Sequence, residues 1–161
     1  MQGLEFSPSE IPDLETLVDR LKADLPGILA GMPVRLVYLY GSAVRGEMLP
    51  HSDVDIAPVY GPDSGLSSYD QMLLDFKIAD AIGTRCGIRK ADVRSIDDAP
   101  LAWKGKVLTQ GRLVYSRDEA FRVDFEVLTR NRYFDFLPVI RQMQDALVKR
   151  VRERGLIRYG P

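Results

Sequence analysis

Two apolar runs, joined by a short excursion that starts at Gly-Ser and ends at a pair of aspartates, constrain the fold more than any other feature. The segment YLYGSAVRGEMLPHSDVDIAPVY spans residues 38–60. Residues 34–40 and 53–60 are rich in β-branched, aromatic and apolar side chains, which predicts two buried strands. Ten residues separate Ser42 from Asp53, enough chain to bring the second strand back beside the first.

The paired aspartates of the second run point to a cation. Residues i and i+2 of a strand project to the same face, so Asp53 and Asp55 lie together while Val54 and Ile56 face the core. At an effective dielectric near 20 and a separation of 5–6 Å, the two charges repel by roughly 3 kcal/mol. A divalent cation offsets this repulsion, and carboxylate oxygens suit Mg²⁺. The pattern therefore predicts a metal site at Asp53 and Asp55.

The Gly-Ser end of the first run predicts a phosphate-binding turn. Gly41 allows a sharp turn and close approach of a ligand. The residues SAVRG can open a short helix, whose free N–H groups bind phosphate. Ser42 adds a hydroxyl donor and Arg45 adds positive charge one turn later. We therefore expect Gly41, Ser42 and Arg45 to hold the phosphates of a nucleotide beside the metal.

A phosphate-binding turn beside a carboxylate pair for a metal suits transfer of a nucleotidyl group from a metal–triphosphate. Two-metal nucleotidyl transfer normally uses a third carboxylate. The downstream candidates are Asp92, Asp97 and Asp98. Asp92 lies inside the strand-like stretch ADVRSI, whereas Asp97 and Asp98 precede Ala99-Pro100 and are typical of a turn or a helix cap. We choose Asp92 as the third catalytic and metal-binding carboxylate.

The rest of the chain alternates helical and strand patterns without a linker or repeat, which predicts one α+β domain over residues 1–161. A small mixed sheet of about four strands carries helices packed on it, and the helix from Ser67 is expected to be well covered. A C-terminal helix is expected within residues 131–155 and packs on the domain, with Asp135 as its cap and Gly155 as its end. Its apolar stripe is predicted to be core, with a partner-binding groove as the alternative, and comprises Phe136, Ile140, Met143, Leu147 and Val151.

Composition excludes several classes of protein. The net charge is −1, so there is no general attraction to nucleic acid or to an anionic membrane. One cysteine, Cys86, and one histidine, His51, argue against an internal disulfide, a histidine-based zinc site or a histidine-centred triad. The N-terminus does not resemble a signal peptide, and we expect a cytoplasmic protein.

The stretch GSAVRGEMLPHSDVDIA resembles the signature of the minimal nucleotidyltransferases of the DNA polymerase β-like superfamily. That signature is Gly-Ser, an early Arg-Gly, and Ser-Asp-x-Asp about ten residues on. ADVRSI resembles the strand of the family's third aspartate, although Arg94 and Ser95 depart from its apolar pattern. The aromatic-rich segment and long helix after residue 111 resemble the antitoxin branch of the family.

The resemblance implies a mixed sheet with helices on one side, ATP as donor and two Mg²⁺ ions as cofactors. In the antitoxin branch, AMP is transferred to a tyrosine of a partner HEPN-domain ribonuclease toxin, which is silenced. Two alternatives stay open. One is an adenylyltransferase for a small-molecule acceptor, and the other is a non-catalytic antitoxin that masks its toxin by binding.

Overall fold

The computed structural model describes residues 13–49, 51–88 and 90–154. The N-terminal segment, the expected helix end at Gly155 and the tail after it lie outside these residues. Within the described ranges, no helix combines the length and the apolar character needed to cross a bilayer.

Among the described residues, four strands form one mixed sheet in the order β3-β2-β1-β4. The strands are β1 (Leu36–Tyr40), β2 (Val54–Val59), β3 (Ala91–Val93) and β4 (Arg112–Ser116). β1 pairs antiparallel with β2 and with β4, whereas β2 and β3 run parallel. The two apolar runs of the sequence are therefore the central strands, and the α+β class expected from sequence is confirmed.

In the described part of the chain, five helices cover both faces of this sheet. They are α1 (Leu14–Ile28), α2 (Ser42–Arg45), α3 (Ser68–Cys86), α4 (Leu101–Gln110) and α5 (Glu119–Arg154). One face packs on α1 and α3 through a core that includes Leu21, Ile56 and Ile78. Val107 and Leu108 of α4 cover the opposite face, with Phe121 and Phe125 of α5 packed beside them. The expectation of helices on one side only is wrong, because the second apolar face also needs a cover.

α5 is fixed to the second face by a buried polar cluster. Tyr38 Oη donates to Glu126 Oε1 at 2.9 Å, and Arg122 and Arg130 both lie within 3.3 Å of Glu126 Oε2. Further along, a Cβ built on Gly105 of α4 would overlap the Tyr133 ring. The close helix contact therefore requires glycine at this position of α4.

α3 buries a different face from the one expected. Gln71, Asp75, Ile78, Ile82 and Cys86 are buried, whereas Met72 and Phe76 are 44% and 66% exposed. Asp75 tolerates burial because it accepts hydrogen bonds from Tyr60 Oη at 2.7 Å and from the Ser95 amide at 2.8 Å. The expectation that α3 is well covered on its apolar side is wrong.

α5 also differs from the prediction. The chain continues as one helix of 36 residues through Pro138, so Asp135 does not start a helix. The stripe predicted as core lies largely in solvent, with Met143 64% and Leu147 60% exposed. That prediction is wrong because amphipathic spacing identifies an apolar face without identifying what covers it.

Candidate active site

The Gly-Ser turn forms as expected and depends on glycine. Gly41 has φ 76° and ψ −148°, a backbone conformation that is essentially restricted to glycine. A Cβ built there would overlap the Asp55 carboxylate. The chain then makes the single turn α2 and leaves it through Gly46, which is left-handed at φ 70°. Gly41 thus places the start of α2 directly against Asp55.

A row of three polar side chains crosses the sheet at this point. The register pairs Tyr40 of β1 with Asp55 of β2, and Asp55 with Asp92 of β3. Paired residues on neighbouring strands project to the same face. The structure therefore brings the predicted residues Asp55 and Asp92 together, on the face that α4 and α5 cover farther along. We call Tyr40, Asp55 and Asp92 the carboxylate row.

The electrostatics of the row raise the pKa of Asp55. Burial is the largest cause, and the negative charges of Asp92 and Asp53 add to it. Arg45 and Arg94 act in the opposite direction. Asp53 lies just before β2 and is exposed, so its carboxylate faces solvent beside the row. Ionised Asp55 is thus held in a site that favours a compensating cation.

Arg94 supplies part of the compensating positive charge. Arg94 Nε donates to Asp92 Oδ1 at 3.1 Å. Among the residues that the structure describes, no group of three or more His, Cys, Asp or Glu side chains is arranged as a metal site. The donor chemistry of Asp53, Asp55 and Asp92 nevertheless fits Mg²⁺, which takes carboxylate oxygens and keeps several waters.

Ser42 and Arg45 lie at the turn, and Arg45 also pairs with a carboxylate outside the row. Arg45 Nε donates to Glu47 Oε2 at 2.7 Å, with both side chains largely exposed. The excursion then closes where the Leu49 amide donates to Ser52 Oγ at 2.8 Å. The serine of the Ser-Asp-x-Asp pattern therefore stabilises the loop that leads into β2.

Asp97 and Asp98 have structural contacts. Asp97 accepts hydrogen bonds from the amides of Tyr60 and Gly61, at 3.0 Å and 2.7 Å. Asp98 accepts one from Ser68 Oγ at 2.8 Å. Both residues lie in a turn, as the sequence predicts. This turn is at the end of β2 that lies away from Asp55. The strand position of Asp92 leaves it as the candidate third carboxylate.

Sequence reasoning missed two residues of the site. Tyr40 packs edge-on against Trp103 of α4 with ring centroids 6.2 Å apart. Burial, followed by the charges of Asp55 and Asp92, raises the pKa of Tyr40 to about 12. The other missed residue is Arg94. The two-residue period of a strand would have placed Arg94 on the same face as Asp92.

Replacing Gly41 with alanine tests the close approach to Asp55. Because the change imposes both backbone strain and a clash, we expect the free energy of unfolding to fall by about 2–3 kcal/mol or more. Gly46→Ala is the matched control, since its positive φ has open space around it, and it should cost about 1 kcal/mol. Equal losses in chemical denaturation would contradict the contact.

Asp55→Asn tests the repulsion within the row. The raised folded-state pKa means that ionised Asp55 destabilises the folded protein at neutral pH. Without Mg²⁺, the variant should be more stable than the wild type at pH 7. The difference should shrink as pH falls through the folded pKa of Asp55 towards the ordinary aspartate pKa of 3.8. Asp124→Asn, an exposed change on α5, should stay within about 0.5 kcal/mol at every pH. A pH-independent Asp55→Asn difference would refute this account.

Known structures share this fold. A toxin–antitoxin structure with AMP-PNP is similar at TM-score 0.57 and 20% identity, covering 81% of this chain and 97% of that one. A tri-AMPylated Shewanella oneidensis HEPN toxin in complex with MNT antitoxin is similar at TM-score 0.55 and 20% identity, covering 83% and 98%. The MntA-HepT structure is similar at TM-score 0.55 and 18% identity, covering 83% and 97%. At these identities the likeness shows the fold alone.

Sequence comparison identifies the family. No curated protein sequence matches this chain. The family model described as Polymerase beta, Nucleotidyltransferase matches residues 27–120. This match covers more than half of the chain and includes β1, the Gly-Ser turn and the carboxylate row. The chain belongs to the polymerase β nucleotidyltransferase family.

Proposed function

We propose that this nucleotidyltransferase transfers AMP from Mg-ATP to a tyrosine hydroxyl of a partner HEPN-domain toxin and so acts as an antitoxin. The observation that carries the proposal is the carboxylate row beside the Gly41 turn. Asp55 and Asp92 are paired on two neighbouring strands, and Gly41 turns the chain against the Asp55 carboxylate, which supports binding of a metal and a phosphate side by side.

The choice of donor and acceptor is supported by similar proteins. One similar structure is a toxin–antitoxin with AMP-PNP, and another contains a tri-AMPylated HEPN toxin with its MNT antitoxin. The present chain shares their fold and carries the Gly-Ser and Asp-x-Asp residues of the family signature. We therefore propose ATP as its donor and a HEPN toxin as its partner.

Each predicted residue has a role in the proposed reaction. Gly41, Ser42 and Arg45 would hold the triphosphate, while Asp53 and Asp55 would hold the Mg²⁺ that accompanies it. Asp92, which pairs with Arg94 in this structure, would be the further ligand for a second Mg²⁺. When bound, Mg²⁺ would neutralise phosphate charge and favour ionisation of the acceptor hydroxyl.

The transfer forms one bond and breaks one bond. The tyrosine oxygen attacks the α-phosphorus of ATP, the bond from that phosphorus to the bridging oxygen breaks, and pyrophosphate leaves with the electron pair. The tyrosine proton, with an ordinary pKa near 10, must be lost during attack. In the proposed reaction a carboxylate of the row accepts it.

Intact-mass measurement of the partner tests this function. We expect the HEPN-domain protein encoded closest to this chain in its genome to gain one or more AMP groups with ATP and Mg²⁺. Asp53→Asn and Asp55→Asn should abolish the gain, and Asp92→Asn should slow it by roughly 10² because a proton acceptor and ligand is lost. Asp98→Asn, whose carboxylate contacts Ser68, should leave the rate unchanged.

Two other outcomes would contradict the proposal. A stable complex with no gain in mass would favour an antitoxin that masks its toxin by binding. Transfer of AMP to a small-molecule hydroxyl in place of the protein would favour the other class of acceptor.

A further inference from the structure

We propose that the exposed stripe of α5 is the docking surface for the protein that supplies the acceptor hydroxyl. The stripe consists of Phe136, Ile140, Met143, Leu147 and Val151. This inference rests on the proposed function, and it adds where the partner binds and which chemistry the partner's surface has.

The stripe is a large apolar surface that no part of the described chain covers. Phe136, Met143, Leu147 and Val151 are 44%, 64%, 60% and 41% exposed. Every side chain from residue 141 to residue 153 is exposed. Contiguous apolar surface of this kind marks an interaction site more often than a solvated face.

The first half of α5 runs in the same direction as β1. The Arg35 guanidinium, just before β1, lies 4.5 Å from the Phe121 ring centroid. One turn later on α5, Glu126 accepts from Tyr38 in the middle of β1. α5 therefore advances along the sheet towards the end where β1 meets the Gly41 turn.

The contacts with α4 show where α5 passes that end. Arg130 donates to the Leu108 carbonyl oxygen at 2.8 Å, and Tyr133 packs on Gly105. α4 thus runs antiparallel to α5, and its Trp103 packs on Tyr40 of the carboxylate row. α5 reaches the level of the row shortly after Tyr133. The residues from 134 to 154 then extend past it by about 30 Å, at 1.5 Å per residue.

This placement favours an acceptor-bearing protein as the occupant. A protein docked along the extension lies at the end of the sheet that carries the carboxylates, so its hydroxyl can reach them. Between residues 141 and 153 the helix carries four cations and two anions, namely Arg141, Asp145, Lys149, Arg150, Arg152 and Glu153, and of these Arg150 lies beside the stripe. A partner with an apolar face and an acidic surface matches this net positive helix, whereas a second copy of this chain would bring the same excess of positive charge.

Leu147→Glu in the full-length chain tests the surface, and Met143→Glu one turn earlier repeats the test. Both side chains are exposed, so the melting temperature should be unchanged. We expect the dissociation constant for the HEPN-domain protein, measured without nucleotide, to rise at least 10-fold. Gln142→Glu adds the same charge on the opposite side of the helix and should change the constant less than 2-fold.

Three results would overturn the inference. The first is unchanged affinity in both stripe variants, and the second is no binding of the HEPN-domain protein by the wild type. The third is a wild-type homodimer, measured by light scattering, that Leu147→Glu dissociates. Because affinity is measured without nucleotide, a failure of docking is distinguishable from a failure of AMP transfer, which is read from the mass of the partner.

Discussion

The contact between the Gly41 backbone and the Asp55 carboxylate is the constraint on which the site depends. β1 and β2 pair so that Tyr40 stands opposite Asp55, and the residue after Tyr40 must turn across the carboxylate. Only a residue without Cβ fits there. The same turn starts α2 and fixes where Ser42 and Arg45 lie. One backbone requirement thus places the start of α2 and the carboxylates together.

The folded chain keeps negative charges close together and offsets them only in part. Burial and the neighbouring aspartates both raise the pKa of Asp55, while Arg45 and Arg94 counter them. Both arginines are about half exposed or more, and each also pairs with a nearby carboxylate, Glu47 or Asp92. Exposed ion pairs of this kind contribute only about 0–1 kcal/mol. They can therefore yield to a divalent cation with its triphosphate.

Sequence patterns predicted the parts of the fold that depend on local rules. The strands follow from apolar runs, and the common face of Asp55 and Asp92 follows once the strands pair. The patterns failed where a distant partner decides the outcome. Asp75 is buried on α3 because Tyr60 and Ser95 bond it. The stripe of α5 is exposed because no described residue of this helix after Tyr133 is buried against the sheet or α4, which no spacing within the helix reveals.

We propose that the carboxylates and the Gly41 turn bind a metal-nucleotide together. Calorimetric titration with α,β-methylene ATP, which cannot be cleaved between its α- and β-phosphates, measures this binding directly. We expect binding by the wild type only when Mg²⁺ is present, and an affinity at least 10-fold weaker in Asp55→Asn. Equal affinity with and without Mg²⁺, or equal affinity in the wild type and Asp55→Asn, would contradict it.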